Sequence, residues 1–292
     1  MMVRKWWIPA LSLALTTLPL ATQAEAPGSK PTVASFDWGS VDTLEALGLE
    51  EQLVGLPHQS APSYVAHLLQ GRPDVGSLKE PDAGALADIA PDLILVTGRQ
   101  GDAGLALDGV AEVMDVSLGE GEFLHAFSDR VLRLAERFDA VPRAEAALEE
   151  LRIYIEEARG SLPQGASVLV VTHSDGNYSL RQEPVVSELL QLSAPTVPKG
   201  VETQERGSRT FIPLTPANMV RMNPDAVLVV DRSAAIGQVP LDVDALKRSL
   251  ADEGGADIVV ELLSPGLWYL SGAGLVSVRA QVDEVATALG RH

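Results

Sequence analysis

Arg99 and Arg232 each close a stretch that the chain uses twice. Pro91-Asp92-Leu93-Ile94-Leu95-Val96-Thr97-Gly98-Arg99 aligns without a gap on Pro224-Asp225-Ala226-Val227-Leu228-Val229-Val230-Asp231-Arg232. Upstream, Leu86 and Ile89 fall opposite Met219 and Met222, so the preceding helix repeats too. Each copy is a helix, a Pro-Asp turn, a buried strand and an arginine where the strand ends. In open α/β sheets ligands bind beyond the carboxyl ends of the strands. A guanidinium there donates in a planar fork that suits carboxylate, phosphate or catecholate oxygens. An opposite charge about 4 Å away is worth roughly 4 kcal/mol at an effective dielectric near 20. The pattern therefore points to capture of an anion, unless each arginine is spent on a nearby acid such as Asp102 or Asp231. Motifs for turnover are missing: there is no Gly-x-Ser-x-Gly elbow, no phosphate-cradling glycine loop and no His-Glu-x-x-His. His58, His67, His125, His173 and His292 show no ligand spacing and read as surface or satisfied core residues. A hydrolase is the disfavoured alternative.

The elements that position the arginines follow from hydrophobic patterning. Short β-branched runs at Thr32–Phe36, Asp92–Thr97, Ser167–Thr172, Ala226–Asp231 and Ile258–Glu261 alternate with helical stretches such as Val41–Leu47 and Pro184–Leu192. Strands alternating with helices imply an α/β fold with mainly parallel sheets. The centre differs, being helical from Phe123 to Arg159 except near Ala140-Val141-Pro142. Proline is favourable in a first turn, so a new helix begins there and ends near Gly160. The expected organisation is an N-terminal α/β lobe over 32–140, a linking helix over 141–161 and a C-terminal α/β lobe over 166–292. Two Rossmann-like lobes joined by a single long helix would face each other across a cleft, with one arginine from each.

Residues 1–24 read as a secretory signal peptide. Arg4 and Lys5 precede an apolar run from Trp6 to Leu20, and small residues around Ala24 would permit cleavage. The run is shorter than the about 20 residues a spanning helix needs, and it contains Pro9 and Pro19. With no cysteine the chain can form no disulfide and offers no thiol for a lipid anchor, so a diffusible periplasmic protein is expected. The net charge of −18 becomes −20 when Arg4 and Lys5 are removed, a surface that repels nucleic acid and anionic lipid.

Five motifs carry a family likeness: Phe36-Asp37-Trp38-Gly39-Ser40-Val41-Asp42-Thr43-Leu44, Val75-Gly76-Ser77-Leu78-Lys79-Glu80-Pro81-Asp82, Thr97-Gly98-Arg99-Gln100, Val230-Asp231-Arg232-Ser233-Ala234-Ala235-Ile236-Gly237, and Leu267-Trp268-Tyr269-Leu270-Ser271-Gly272. In this order they resemble the periplasmic ferric-siderophore-binding proteins of ABC importers, in the branch that takes catecholate chelates such as enterobactin and petrobactin. The resemblance covers nearly all of the mature chain. It implies a helical-backbone binding protein with no intrinsic cofactor. Its ligand would be a ferric siderophore carrying Fe3+ and its partner an inner-membrane permease; a monomer is the default. It also implies that Arg99 and Arg232 contact the chelate from opposite lobes, and that Tyr269 can offer a phenolate to siderophore-bound Fe3+. Trp38 and Trp268 fall in cleft-forming motifs, Trp38 being expected at the ligand. The same scaffold can carry haem or cobalamin, which is the alternative cargo.

The departures from the family pattern carry information. Thr210 stands where that branch has a histidine ligand, and Arg206 and Arg209 are close by. The expected cargo is therefore a chelate already coordinatively complete and held by charge. Arg181 aligns loosely with a third family arginine. Gly84 and Ala217 replace the glutamates with which relatives meet their permease; Glu80 and Asp82 could substitute in the first lobe.

Overall fold

The computed structural model describes residues 30–59, 61–206 and 209–290. Residues 1–24, read as the signal peptide, and the side chains of Arg206 and Arg209 lie outside the described residues. The first lobe runs through β1 (Val33–Ser35), α1 (Trp38–Ala46), β2 (Leu53–Gly55), α2 (Ala83–Ile89), β3 (Leu93–Val96), α3 (Asp102–Leu105), β4 (Glu112–Asp115) and α4 (Phe123–Glu136). Its strands form a parallel sheet in the order β2-β1-β3-β4. Every residue of β1 and β3 is buried, because helices cover both faces of such a sheet.

The linking helix α5 spans Val141–Ser161, with Pro142 in its first turn and Ala144, Leu151 and Ile155 buried. The second lobe continues through β5 (Val168–Ser174), β6 (Asn177–Leu180), β7 (Gln204–Arg206), β8 (Arg209–Phe211), β9 (Pro213–Leu214) and α6 (Pro216–Met222). It then runs through β10 (Ala226–Asp231), α7 (Arg232–Ala235), α8 (Val243–Asp252), β11 (Val259–Leu263), α9 (Pro265–Tyr269) and α10 (Leu275–Gly290). Its sheet has the order β11-β10-β5-β6-β9, parallel across the first three strands and antiparallel at β6 and β9, while β7 and β8 form a separate hairpin. The helix expected over Pro184–Leu192 condenses to a π-helical turn, Val185–Leu189.

The repeat seen in the sequence has a structural counterpart beyond the strands themselves. Helices α2 and α6 both end on a left-handed residue, Ala90 at φ 44° and Asn223 at φ 52°. Asp92 then accepts from the Thr32 amide at 2.8 Å, and Asp225 accepts from the Ser167 amide at 2.7 Å. Each aspartate thus ties its own strand to the start of the neighbouring one, β1 or β5. After the strands the copies diverge. Asp231 caps α7 through the Ala234 amide at 3.2 Å, which fixes Arg232 in a helical turn. Arg99 sits instead in a bend closed by Gln100 Oε1 accepting from the Thr97 amide at 2.7 Å.

Helix α10 lies within the segment assigned to the second lobe, yet it packs on α1 of the first lobe and on α5. Asp42 of α1 is the anchor. Its carboxylate accepts from the Val276 and Ser277 amides at 3.1 Å each, at the N-terminus of α10, and from the Tyr64 hydroxyl at 3.0 Å. Burial raises the Asp42 carboxyl to about 7 despite these donors. A folded pKa above the ordinary 3.8 means that the native state holds an extra proton between those values. The stability this adds is full below the unfolded pKa and is lost as pH rises through about 7, at roughly 1.4 kcal/mol per unit at its steepest. Melting temperature should therefore fall from pH 5 to pH 8, and Asp42→Asn should flatten that slope. An unchanged slope in the variant would assign the trend to other carboxyl groups.

Candidate ligand site

Tyr269 is where the predicted residues meet. It ends α9, a five-residue helix that begins with Pro265 in its first turn. Helix α10 fixes α9 from behind: Glu284 accepts from the Trp268 indole N–H at 2.7 Å and the Ser264 amide at 3.1 Å, and Gln281 donates to the Leu267 carbonyl at 3.1 Å. From the second lobe, Arg232 donates through Nε to the Tyr269 hydroxyl at 2.8 Å and through Nη1 to Ser174 Oγ at 3.0 Å. Its guanidinium carbon lies 5.7 Å from the centre of the Tyr269 ring. From the first lobe, the exposed Arg99 reaches the Tyr269 carbonyl through Nη2 at 3.4 Å. The two arginines of the repeat thus converge on one residue from opposite lobes.

Neither of them is spent on an acid among the described residues. Asp231, the neighbour that could have neutralised Arg232, is fully buried and turned inward. It accepts from His173 Nδ1 at 2.8 Å and from the Leu241 amide at 2.7 Å. Burial alone would push this carboxyl up, but His173 and the two amides together hold it below the usual range. His173 accepts the Gly176 amide on Nε2 at 3.2 Å, so the ring is the Nδ1–H tautomer and a satisfied core histidine.

Arg181 also arrives at this segment, but in another way. Its Nη2 donates to the Trp268 carbonyl at 2.9 Å, while its Nε is paired with Glu183 at 2.7 Å. Trp38 requires a correction. Expected at the ligand, it is 1% exposed and packs in the main core, its indole N–H without a hydrogen-bond partner among the described residues. The cause is local: Trp38 through Leu44 are all buried, because the first turns of α1 are enclosed on every side. Trp268 is buried as well, at 3% exposure.

A cavity of about 1090 Å3 opens beside Arg232, at the upper edge of the size of small-molecule sites. Ser174, Tyr178, Thr210, Asn218 and the β7–β8 hairpin contribute to it. Thr210 therefore lines this cavity, at the position where a histidine was expected from the resemblance. Arg99 and Tyr269 are not among the lining residues, so the cavity belongs to the second lobe and meets the arginine pair only at Arg232. Ser174, Glu183 and the cavity wall did not emerge from the sequence. For Glu183 a signal existed, its spacing of two from Arg181.

Residues 33–249 match the periplasmic binding protein family. The chain is 27% identical over 274 residues to the petrobactin-binding protein YclQ of Bacillus subtilis, covering 91% of this chain and 84% of that protein. The crystal structure of YclQ superposes with a TM-score of 0.78 at 25% identity, over 90% of this chain and 93% of that one. The catecholate-siderophore-binding protein VctP of Vibrio cholerae shares the fold, with a TM-score of 0.71 at 21% identity over 88% and 93% of the two chains. So does the siderophore-binding protein BauB, with a TM-score of 0.73 at 18% identity over 91% and 95%. With two α/β lobes, one linking helix and a family match over most of its length, the chain belongs to the periplasmic binding protein family.

Proposed function

We propose that this chain is the solute-binding component of an ABC importer and carries an anionic ferric siderophore of the catecholate type. The observation that carries this reading is the convergence of Arg99 and Arg232 on Tyr269 with no acidic partner on either arginine among the described residues. Guanidinium forks at the carbonyl and the hydroxyl of one tyrosine supply charge and directed donors to an anion wider than a single carboxylate. The names of YclQ and VctP support the cargo class. In this reading a signal peptide sends the protein to the periplasm, and the partner is an inner-membrane permease. Its docking face includes the exposed Glu80 beside α2, since α2 and α6 carry Gly84 and Ala217 where relatives have glutamates.

Thr210 leaves the protein short of a nitrogen ligand, so the cargo is a chelate whose iron is already fully coordinated. The Tyr269 phenol then serves chiefly as an acceptor for Arg232, not as a ligand to Fe3+. The test is a titration of the mature protein with ferric enterobactin, ferric petrobactin and a neutral ferric hydroxamate, read by absorbance and by quenching of the buried tryptophans. Both catecholate complexes should bind more tightly than the hydroxamate. Tyr269→Phe should weaken binding by about tenfold, the low end of what one hydrogen bond to a charged group contributes. It should also leave the visible charge-transfer band of the bound chelate in place. Binding of haem with a Soret band, and of no ferric chelate, would overturn the reading.

A further inference from the structure

We propose that Glu183 is a specificity-determining residue of this site: it cancels the charge of Arg181, so that Arg181 positions the Tyr269 segment while Arg99 and Arg232 present charge to the cargo. This assignment rests on the functional reading above and deepens it. Three arginines reach the 268–269 segment, and they differ in what else they touch. Arg232 donates to neutral oxygens of Tyr269 and Ser174, and Arg99 to the Tyr269 carbonyl. Among the described residues Arg181 alone of the three is in an ion pair, with its Nε 2.7 Å from Glu183 Oε2. The Glu183 side chain is 10% exposed and that of Arg181 26% exposed, so little water screens the pair. From a few ångströms away the couple is close to a neutral dipole.

Arg181 Nη2 is committed at 2.9 Å to the Trp268 carbonyl. That bond adds to the grip of α10 on α9, in which Glu284 holds the Trp268 indole and Gln281 the Leu267 carbonyl. Arg181 is therefore a positioning residue. It sets the height of Tyr269, and through it the oxygen that orients Arg232. A site with two uncompensated arginines at this segment selects less strongly for highly charged chelates than a site with three, and Glu183 makes the difference.

The experiment compares wild type, Glu183→Gln and the double variant Arg181→Gln/Glu183→Gln. Glutamine at 183 can still accept from Arg181 Nε, so the geometry survives while the charge is released. The probes are a trianionic ferric tricatecholate and an uncharged ferric hydroxamate, at low and high salt. Glu183→Gln should tighten the tricatecholate about five- to tenfold at low salt, with the gain shrinking as salt rises. It should leave the hydroxamate unchanged, a split that a merely structural effect would not produce. The double variant removes the pair without changing net charge but loses the Arg181 bond to the Trp268 carbonyl, so it should weaken both probes alike, by about tenfold, with an unaltered salt dependence. If Glu183→Gln gives no charge-selective gain, the assignment is overturned. It is equally overturned if the double variant weakens the tricatecholate far more than the uncharged hydroxamate, for Arg181 would then touch the anion itself. A wild-type protein that binds neither probe removes the functional reading, and this assignment with it.

Discussion

Arg232→Ala should weaken binding of a ferric tricatecholate by about 100-fold, while Arg99→Ala should cost about five- to tenfold. The difference follows from what surrounds the two guanidiniums. Arg232 is half-buried, fixed in the first turn of α7, and held by Ser174 and Tyr269 at 3.0 and 2.8 Å. Truncating one partner of a desolvated, hydrogen-bonded charge contact costs about 2–5 kcal/mol, and about 3 kcal/mol corresponds to the stated factor. The loss also leaves the Tyr269 hydroxyl without its donor. Arg99 is exposed and makes one long bond of 3.4 Å, so its contribution is mostly long-range and screened. Its effect should shrink as salt rises from 50 to 500 mM, whereas that of Arg232→Ala should largely persist. Arg232→Lys keeps the charge but not the fork, and should recover only part of the loss. Equal and fully salt-sensitive losses in the two alanine variants would show that the site is a diffuse basic patch. Unchanged affinity in both would remove it altogether.

The sequence carried the strands because they are buried on both faces, which makes them continuous aliphatic runs such as Leu93–Val96 and Ala226–Val230. The repeat was legible for the same reason, and the matching roles of Asp92 and Asp225 show that its Pro-Asp turns do a local job that a local motif can encode. The placing of Arg99 and Arg232 near the carboxyl ends of their strands was legible only as a consequence of topology, and their shared contact with Tyr269 depends on the distant segment 265–269. What stayed hidden is long-range. Asp42 is separated by 234 residues from Val276, whose amide it accepts, and nothing in either segment alone announces the other. Trp38 was misplaced because its motif adjoins the end of β1, while its side chain follows the enclosed face of α1. The Arg181–Glu183 pair has a local spacing, but its meaning depends on the Trp268 carbonyl 87 residues away.

Gly39→Ala should lower the melting temperature by about 5–10 °C, against the sign expected of such a change in a helix. At an unconstrained helical position alanine is the better residue by about 1 kcal/mol. Here a Cβ on Gly39 would lie 2.5 Å from the Ala273 carbonyl oxygen and 2.7 and 2.9 Å from its carbonyl carbon and amide nitrogen. All three are backbone atoms, so no side-chain rotation relieves the clash. A Cβ on the facing Gly274 would run into the Asp42 carboxylate and the Gly39 carbonyl, so the contact is tight from both sides. Overpacking costs about 1–3 kcal/mol, and each kcal/mol is worth about 2–4 °C in a chain of this size. The consequence extends to the site. The loop of residues 270–274 connects α9 to α10, so lifting α10 off α1 moves the base on which Tyr269 stands. Gly39→Ala should therefore also weaken chelate binding, though residue 39 lies in the core and touches no arginine of the cluster. A variant as stable as wild type would mean that α10 can shift freely, and Tyr269 would then lack the fixed support that holds the two arginines on one target.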